Sequence, residues 1–316
     1  MADEGSLSCK PQASNDKDTV SALTEKSLAA LSLDSAAYDE VQCDRFLTPG
    51  TTVIDIENVL IIRDFIFSIS SSPLTIAVDA EGEDLSRAGE LTLISVAVKV
   101  TTGVHVFLFD ILYHFFQPKI FEVLKNILEN EKIEKIIHDC RQDADALAVI
   151  GIRLKTVFDT SVFNCHLTNT PLEKRENLNT VLQKFQCQFK GRFRDYDSNP
   201  SFWTSRPLSQ KQIESASDDV VNLFDLKEKM VETLSRKKLT EKEMHLIYSS
   251  SNRAVDEYRS LAYSEIVPVP PNMKGAVVGQ SGTTIVSIQR KTNCVISAYI
   301  GRSQGYLILA DNMVSW

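Results

Sequence analysis

An α/β fold built on a mixed sheet is predicted by three features of this 316-residue sequence. Compact Val/Ile/Leu/Phe runs at 74–79, 91–98 and 104–109 read as three early strands. Thr101-Thr102-Gly103 separates the last two and is a hairpin signal, so the run opens as a meander. Strand-like and amphipathic segments then alternate before the pattern becomes wholly helical, which is the order of an α/β layout with a mixed sheet.

The elements follow in order. Residues 1–48 are rich in Ser, Asp, Lys and Ala with few aromatics, and are expected to form a mostly disordered acidic tail with a short helix near 20–33. A short strand is expected at 52–56 and an amphipathic helix at 59–69. After the meander, Ile120, Val123, Leu124, Ile127 and Leu128 share one face of a helix over 118–130. A strand at 133–137 precedes a helix at 140–150, and further helices are expected around 159–167, 178–185 and 210–234. The charged segment 239–263, carrying Met244, Leu246, Ile247, Tyr248 and Tyr258, reads as a helix that is either a rigid spacer or packed on the preceding domain. Pro268, Pro270 and Pro271 mark the start of a smaller unit. The expected domains are therefore a tail at 1–48, an α/β domain at 49–235, a helical linker at 236–263 and a small α+β unit at 264–316.

Composition narrows the function classes. No apolar run approaches about 18 residues, so a membrane-spanning role is not expected. The N-terminus lacks the basic start and apolar stretch of a signal peptide. Six cysteines without a C-x-x-C pair suit a reduced protein, cytoplasmic or nuclear and not secreted. The net charge of −8 argues against phosphate binding, but residues 1–50 hold nine acidic and four basic side chains and contribute −5 of it. Bound cations would offset an acidic site in the remainder.

Three segments carry candidate chemistry. In Val78-Asp79-Ala80-Glu81 the two carboxylates lie two apart near a strand end and share one face, where they can grip a hard cation together. A polar strand end is the competing reading. In the run from His138 to Leu147, Asp143 lies four residues before Leu147 and is aimed inward. Asp145, rotated roughly 200° from it, is expected in solvent. Asp139 is also expected in solvent, near the helix N-terminus. His138 could bind metal or nucleic acid, although a satisfied histidine beside the sheet is the simpler reading. In the third segment Ser215, Asp219, Asn222 and Leu223 line one helix side, so Asp219 is held against the sheet and Asp218 is solvated. A carboxylate buried there calls for a metal partner.

These segments together resemble a known family. Residues 52–234 are similar to the RNase D-type branch of the DEDD 3′–5′ exonucleases, nearest its Egalitarian-like and exonuclease-domain-containing members. Besides the segments above, the likeness rests on 90–98, Val157-Phe158-Asp159-Thr160, and Trp203-Thr204-Ser205-Arg206-Pro207-Leu208 followed by Asp219-Val220. The resemblance implies an RNase H-like mixed sheet with flanking helices and hydrolysis of phosphodiesters from a 3′ end. It implies Asp79, Glu81, Asp143 and Asp219 as catalytic ligands of two Mg²⁺ or Mn²⁺ ions, about 3.5–4 Å apart in such sites. Asp159 is assigned a helix N-cap role. Trp203 and Arg206 are expected to pin the segment before the last helix. The family's tyrosine subclass places a Tyr four residues before the last Asp, where this chain has Ser215, and the histidine subclass places a His where this chain has Glu214. The expectation is a two-metal-dependent 3′–5′ exonuclease on single-stranded nucleic acid, RNA rather than DNA, with protein partners in RNA processing; the alternative is a catalytically weak or inactive nuclease-fold RNA-binding adaptor.

In the last unit, Gly279-Gln280-Ser281-Gly282 sits between two helical turns, where a G-x-x-G lets the backbone approach a sugar–phosphate chain. Strands are expected at 266–269, 294–299 and 305–309. The unit resembles a K homology (KH) domain, which implies nucleic-acid binding by that loop. Its net charge of +2 from residue 264 onward, from four basic and two acidic residues, suits phosphate contact. The chain stops at Trp316, where a terminal helix would begin, so a truncated or minimal unit is expected. Lys190 and Arg192, in a basic and aromatic stretch, are further candidates for guiding single strands, with a solvated loop as the simpler reading.

Overall fold

The computed structural model describes residues 49–54, 58–69, 74–113, 117–187, 199, 201–236, 241–258, 263–269, 273–279, 283–292, 294–299 and 305–310. The expected helix at 20–33, Lys190, Arg192, Gln280, Ser281 and Gly282 lie outside the described residues.

The chain enters through β1 (Gly50–Ile54) and α1 (Val59–Ser68), then forms the meander β2 (Leu74–Glu83), β3 (Glu90–Val100) and β4 (Gly103–Asp110). Helix α2 (Pro118–Leu128), β5 (Ile133–Ile137), α3 (Arg141–Val149), β6 (Val157–Asp159), α4 (Thr160–Thr168), α5 (Leu178–Lys184), α6 (Gln210–Arg236) and α7 (Glu241–Glu257) follow. Among the described residues six strands form one sheet in the order β1-β4-β3-β2-β5-β6. The meander is antiparallel, while β1 pairs with β4, β5 with β2 and β6 with β5 in parallel.

Both faces of this sheet are covered, and the side-chain period of two divides each strand between them. Ile76, Val78, Ile94, Val96, Phe107 and Phe109 pack into one core with α1, α2 and α3. Their neighbours Ala77, Leu93, Ala97, Val106 and Leu108 pack into the other, under α5, α6 and the first half of α7. That double burial explains why the central strands read as continuous apolar runs.

Strand β6, only three residues long, was not expected from the pattern. It is completed by helix α7. Val157 N donates to Asn252 Oδ1 (3.1 Å) and Asp159 N to Ser251 Oγ (3.2 Å), so α7 side chains satisfy amides of the edge strand. Of the two roles open to the 239–263 segment, packing is the one realised. Glu134 on β5 reinforces it, accepting from Tyr248 of α7 (2.5 Å), Thr75 of β2 (2.9 Å) and Lys227 of α6. Burial alone would raise the Glu134 pKa, but the Lys227 ammonium outweighs it and holds the carboxyl below its ordinary range.

The second unit comprises β7 (Tyr263–Pro268), α8 (Lys274–Val278), α9 (Thr283–Thr292), β8 (Val295–Tyr299) and β9 (Gly305–Ala310). Its antiparallel sheet has the order β7-β9-β8, with Cys294 and Ile308 in a small core flanked by Val267 and Ile296. No described helix in either unit is long and apolar enough to cross a membrane.

Lys135 is fully buried in β5, and its Nζ donates to Asn130 O (2.8 Å) and Ile133 O (2.7 Å). Two acceptors match the two N–H groups of a neutral amine, and burial lowers its pKa from 10.5 to about 7. Between those values the unfolded chain binds one more proton, so folding stability rises with pH across the window. Lys135→Met is expected to be the more stable protein at pH 7. Urea denaturation should show its advantage shrinking by ~1.4 kcal/mol per unit towards pH 9.

Candidate active site

Strand β2 outruns its parallel neighbour. Its pairing with β5 ends at Ala77, whereas its antiparallel pairing with β3 continues to Glu83. The backbone on the β5 side is therefore open beyond Ala77, and α3 fills the gap. Asp143, in the first turn of α3, accepts from Ala80 N at 3.0 Å. This bond fastens α3, the helix of the second segment, to β2 midway between Asp79 and Glu81.

Asp79 and Glu81 point to the same sheet face, the one covered by α6. There Asp219, only 6% exposed, approaches from the helix. One carboxylate oxygen from each of Asp79, Glu81 and Asp219 lies within 4.8 Å of the others. Asp143 is not in that set of three but stands beside it. Burial, and next the Asp79 carboxylate, push the Asp143 pKa well above its ordinary range, against the pull of the amide bonds it accepts. Crowded, all-oxygen donors with mutual repulsion fit a hard divalent cation. After Glu81 the register slips by one, leaving Thr92 unpaired on β3, and Thr92 Oγ1 donates to Glu81 O (3.1 Å). Such a bulge re-aims the strand end beside the site.

Ser215 lies half-buried on α6, one turn before Asp219. Gly279 ends α8 with φ +73°, a backbone that favours glycine, and a Cβ there would collide with Thr284 of α9. His138 is satisfied, with Nδ1 on Thr160 Oγ1 (2.8 Å) and Nε2 on the Glu176 carbonyl (2.9 Å).

Of the two aspartates expected in solvent, Asp145 is buried and Asp139 is only partly exposed. Asp145 is 1% exposed and takes three contacts from Arg87: the backbone N and Nε (both 2.9 Å) and Nη2 (2.6 Å). The helix face opposite Asp143 is enclosed because α3 lies against α7 and the 84–89 turn, not at the surface. Asp139 is gripped by Arg141 through Nε (2.6 Å) and Nη2 (2.8 Å). Burial opposes its ionisation, yet the Arg141 guanidinium holds the carboxyl down at about 2.

Asp159 does more than cap its own helix. It accepts from Ser161 N (2.8 Å), Ser161 Oγ (2.7 Å) and Val162 N (3.3 Å), and also from Asp139 N and Cys140 N, both at 3.0 Å. One buried carboxylate thus sets the entry of both α3 and α4. Arg206 pins the approach to α6 by a fork on Asp110 (2.6 and 2.8 Å) and by bonds to the carbonyls of Trp203 (2.9 Å) and Thr92 (3.2 Å). Neither Arg87 nor Asp110 was singled out in the sequence, since each is identified only by a partner distant along the chain.

A family model described as 3′-5′ exonuclease matches residues 56–235, and one described as KH domain matches 264–306. The piRNA biogenesis protein EXD1 of Homo sapiens is 32% identical over 165 residues, 48% of this chain and 31% of that protein. EXD1 of Bombyx mori is 29% identical over 160 residues, 48% of each chain. The chain thus covers half or less of these relatives' length. Among solved structures, Trypanosoma brucei RNase D in complex with RNA U12 superposes with a TM-score of 0.55 at 19% identity, over 83% of both chains. The catalytic core of RRP6 from T. brucei gives 0.55 at 18% identity, over 78% of this chain and 61% of that one. These two likenesses show the fold.

Replacing Asp159 by Ala strands four backbone N–H groups at two helix starts. The expected loss is at least ~3 kcal/mol in urea denaturation of the full chain, well beyond that of an ordinary cap.

Proposed function

Because the chain belongs to the 3′–5′ exonuclease family and residues 264–306 match a KH domain, we propose that it removes nucleotides from the 3′ end of single-stranded RNA, as an RNase D-type member. The observation that carries this reading is the convergence of Asp79, Glu81 and Asp219 within 4.8 Å, with Asp143 fastened beside them by the Ala80 amide. Asp79, Glu81, Asp143 and Asp219 would hold Mg²⁺ or Mn²⁺, two ions in this reading. Bound there, the ions supply charge neutralisation and water activation for phosphodiester hydrolysis. The chain's own part is to hold four carboxylates on rigid elements, with α6 closing over the sheet and the Arg206 fork fixing where α6 begins. Gly279, with Gln280, Ser281 and Gly282, would bring the RNA backbone close to the KH unit, and Lys190 and Arg192 would guide the strand.

Ser215 supports a second reading, an RNA-binding adaptor with little or no turnover. Its hydroxyl occupies the position of a residue that would orient the attacking water, and it is much shorter than tyrosine's. The relatives' names refer to piRNA biogenesis, and we extend to this chain a role in small-RNA handling in the cytoplasm or nucleus.

A single-stranded RNA labelled at its 3′ end separates the readings. Wild type with Mn²⁺ is expected to release label, Asp79→Ala to release it at least ~100-fold more slowly, and Ser215→Tyr to accelerate release by ~10²-fold. No metal-dependent release of label, with intact RNA retention, would favour the adaptor. Gly279→Ala is expected to weaken RNA retention ~10-fold in a filter assay while leaving cleavage of a dinucleotide unchanged.

A further inference from the structure

The β2–β3 register places Ser95 directly opposite Asp79. Residues so paired put their side chains on one sheet face, with Cβ atoms about 4.5–5.5 Å apart. The alternation along β3 identifies that face. Leu93 and Ala97, two residues either side of Ser95, belong to the core beneath α6, whereas Ile94 and Val96 belong to the opposite core. Ser95 therefore lies beside Asp79 on the side from which Asp219 approaches.

Ser95 is 0% exposed, and its Oγ has no hydrogen-bond partner. Its other cross-strand neighbour, on β4, is Leu108, which offers no acceptor. Ser217, the hydroxyl of α6 nearest in kind, is already engaged with the Ile213 carbonyl (2.6 Å) and Thr51 Oγ1 (2.9 Å). An unpaired buried hydroxyl is unfavourable, and alanine would fill this apolar surrounding without that cost. The one ionisable side chain directly across from it is Asp79.

We propose that Ser95 is a positioning residue of the metal site: its hydroxyl, unpaired in this structure, turns to donate to the Asp79 carboxylate when a divalent cation binds and fixes the oxygen that Asp79 presents to the ion. Carboxylates that hold metal ions are commonly oriented by a second hydrogen bond of this kind. The inference rests on the metal-site reading above. It adds a residue that the ligand set alone does not include.

The test is calorimetric titration of the metal-free full chain with Mn²⁺, alongside thermal unfolding of the same metal-free samples. Ser95→Ala is expected to bind Mn²⁺ ~10-fold more weakly. Its metal-free melting temperature should equal or exceed that of wild type, because the lost hydroxyl was unpaired. Ser95→Thr, which keeps the hydroxyl, is expected to restore affinity, and Asp79→Asn to abolish the binding signal and so assign it to this site. Unchanged affinity in Ser95→Ala, or a loss of affinity matched by a loss of metal-free stability, would overturn the proposal while leaving the metal site standing. A wild-type chain that binds no Mn²⁺ would overturn both.

Discussion

The buried carboxylate of Asp159 is the interaction on which the rest of the site's geometry depends. It closes β6, begins α4, and reaches across to the amides of Asp139 and Cys140, where β5 turns into α3. Asp139 takes φ +56° at that turn, a conformation that aspartate tolerates better than most residues. Without an acceptor for those amides the chain would not leave β5 at this angle, and Asp143 would not meet the Ala80 amide. An anion placed at two helix N-termini is favoured by both helix dipoles.

From that turn the charge pattern follows. Asp79, Glu81, Asp143 and Asp219 converge at the open end of β2, whose pairing with β5 has already ceased. Carboxylates gathered there repel one another, and three arginines make defined pairs with other aspartates nearby. Arg87 is committed to Asp145, Arg141 to Asp139 and Arg206 to Asp110, each in a short, buried or half-buried pair around the rim. These pairs hold the surrounding turns and helices in place.

Helix α7 binds the edge of the sheet into the same construction. Its Ser251 and Asn252 satisfy amides of β6, and its Tyr248 shares Glu134 with Lys227 of α6, whose ammonium also lies over the Phe158 ring at 5.1 Å. The helix that carries Asp219 and the helix that covers β6 are thereby tied to one buried carboxylate on β5.

Periodicity and local chemistry were enough to read the meander, the long helices, the shared face of Asp79 and Glu81 and the inward aim of Asp143 and Asp219, because each depends on residues within a few positions of one another. Gly279 was legible for the same reason, as a glycine between two short helices. What lay beyond reach was set by contacts between segments far apart in the chain. Asp145 looks solvated on a helical wheel, yet Arg87 and α7 enclose it. Residues 157–159 are too few to show a strand period, and only β5 and α7 on either side make them one. The second role of Asp159, the Arg206–Asp110 fork and the placing of Ser95 across from Asp79 depend on register and crossover. The sequence by itself determined which residues face inward, since side-chain direction is a local property of helix and strand. Only the tertiary structure decided which inward residues meet, because a partner 60 or 100 positions away leaves no period to read.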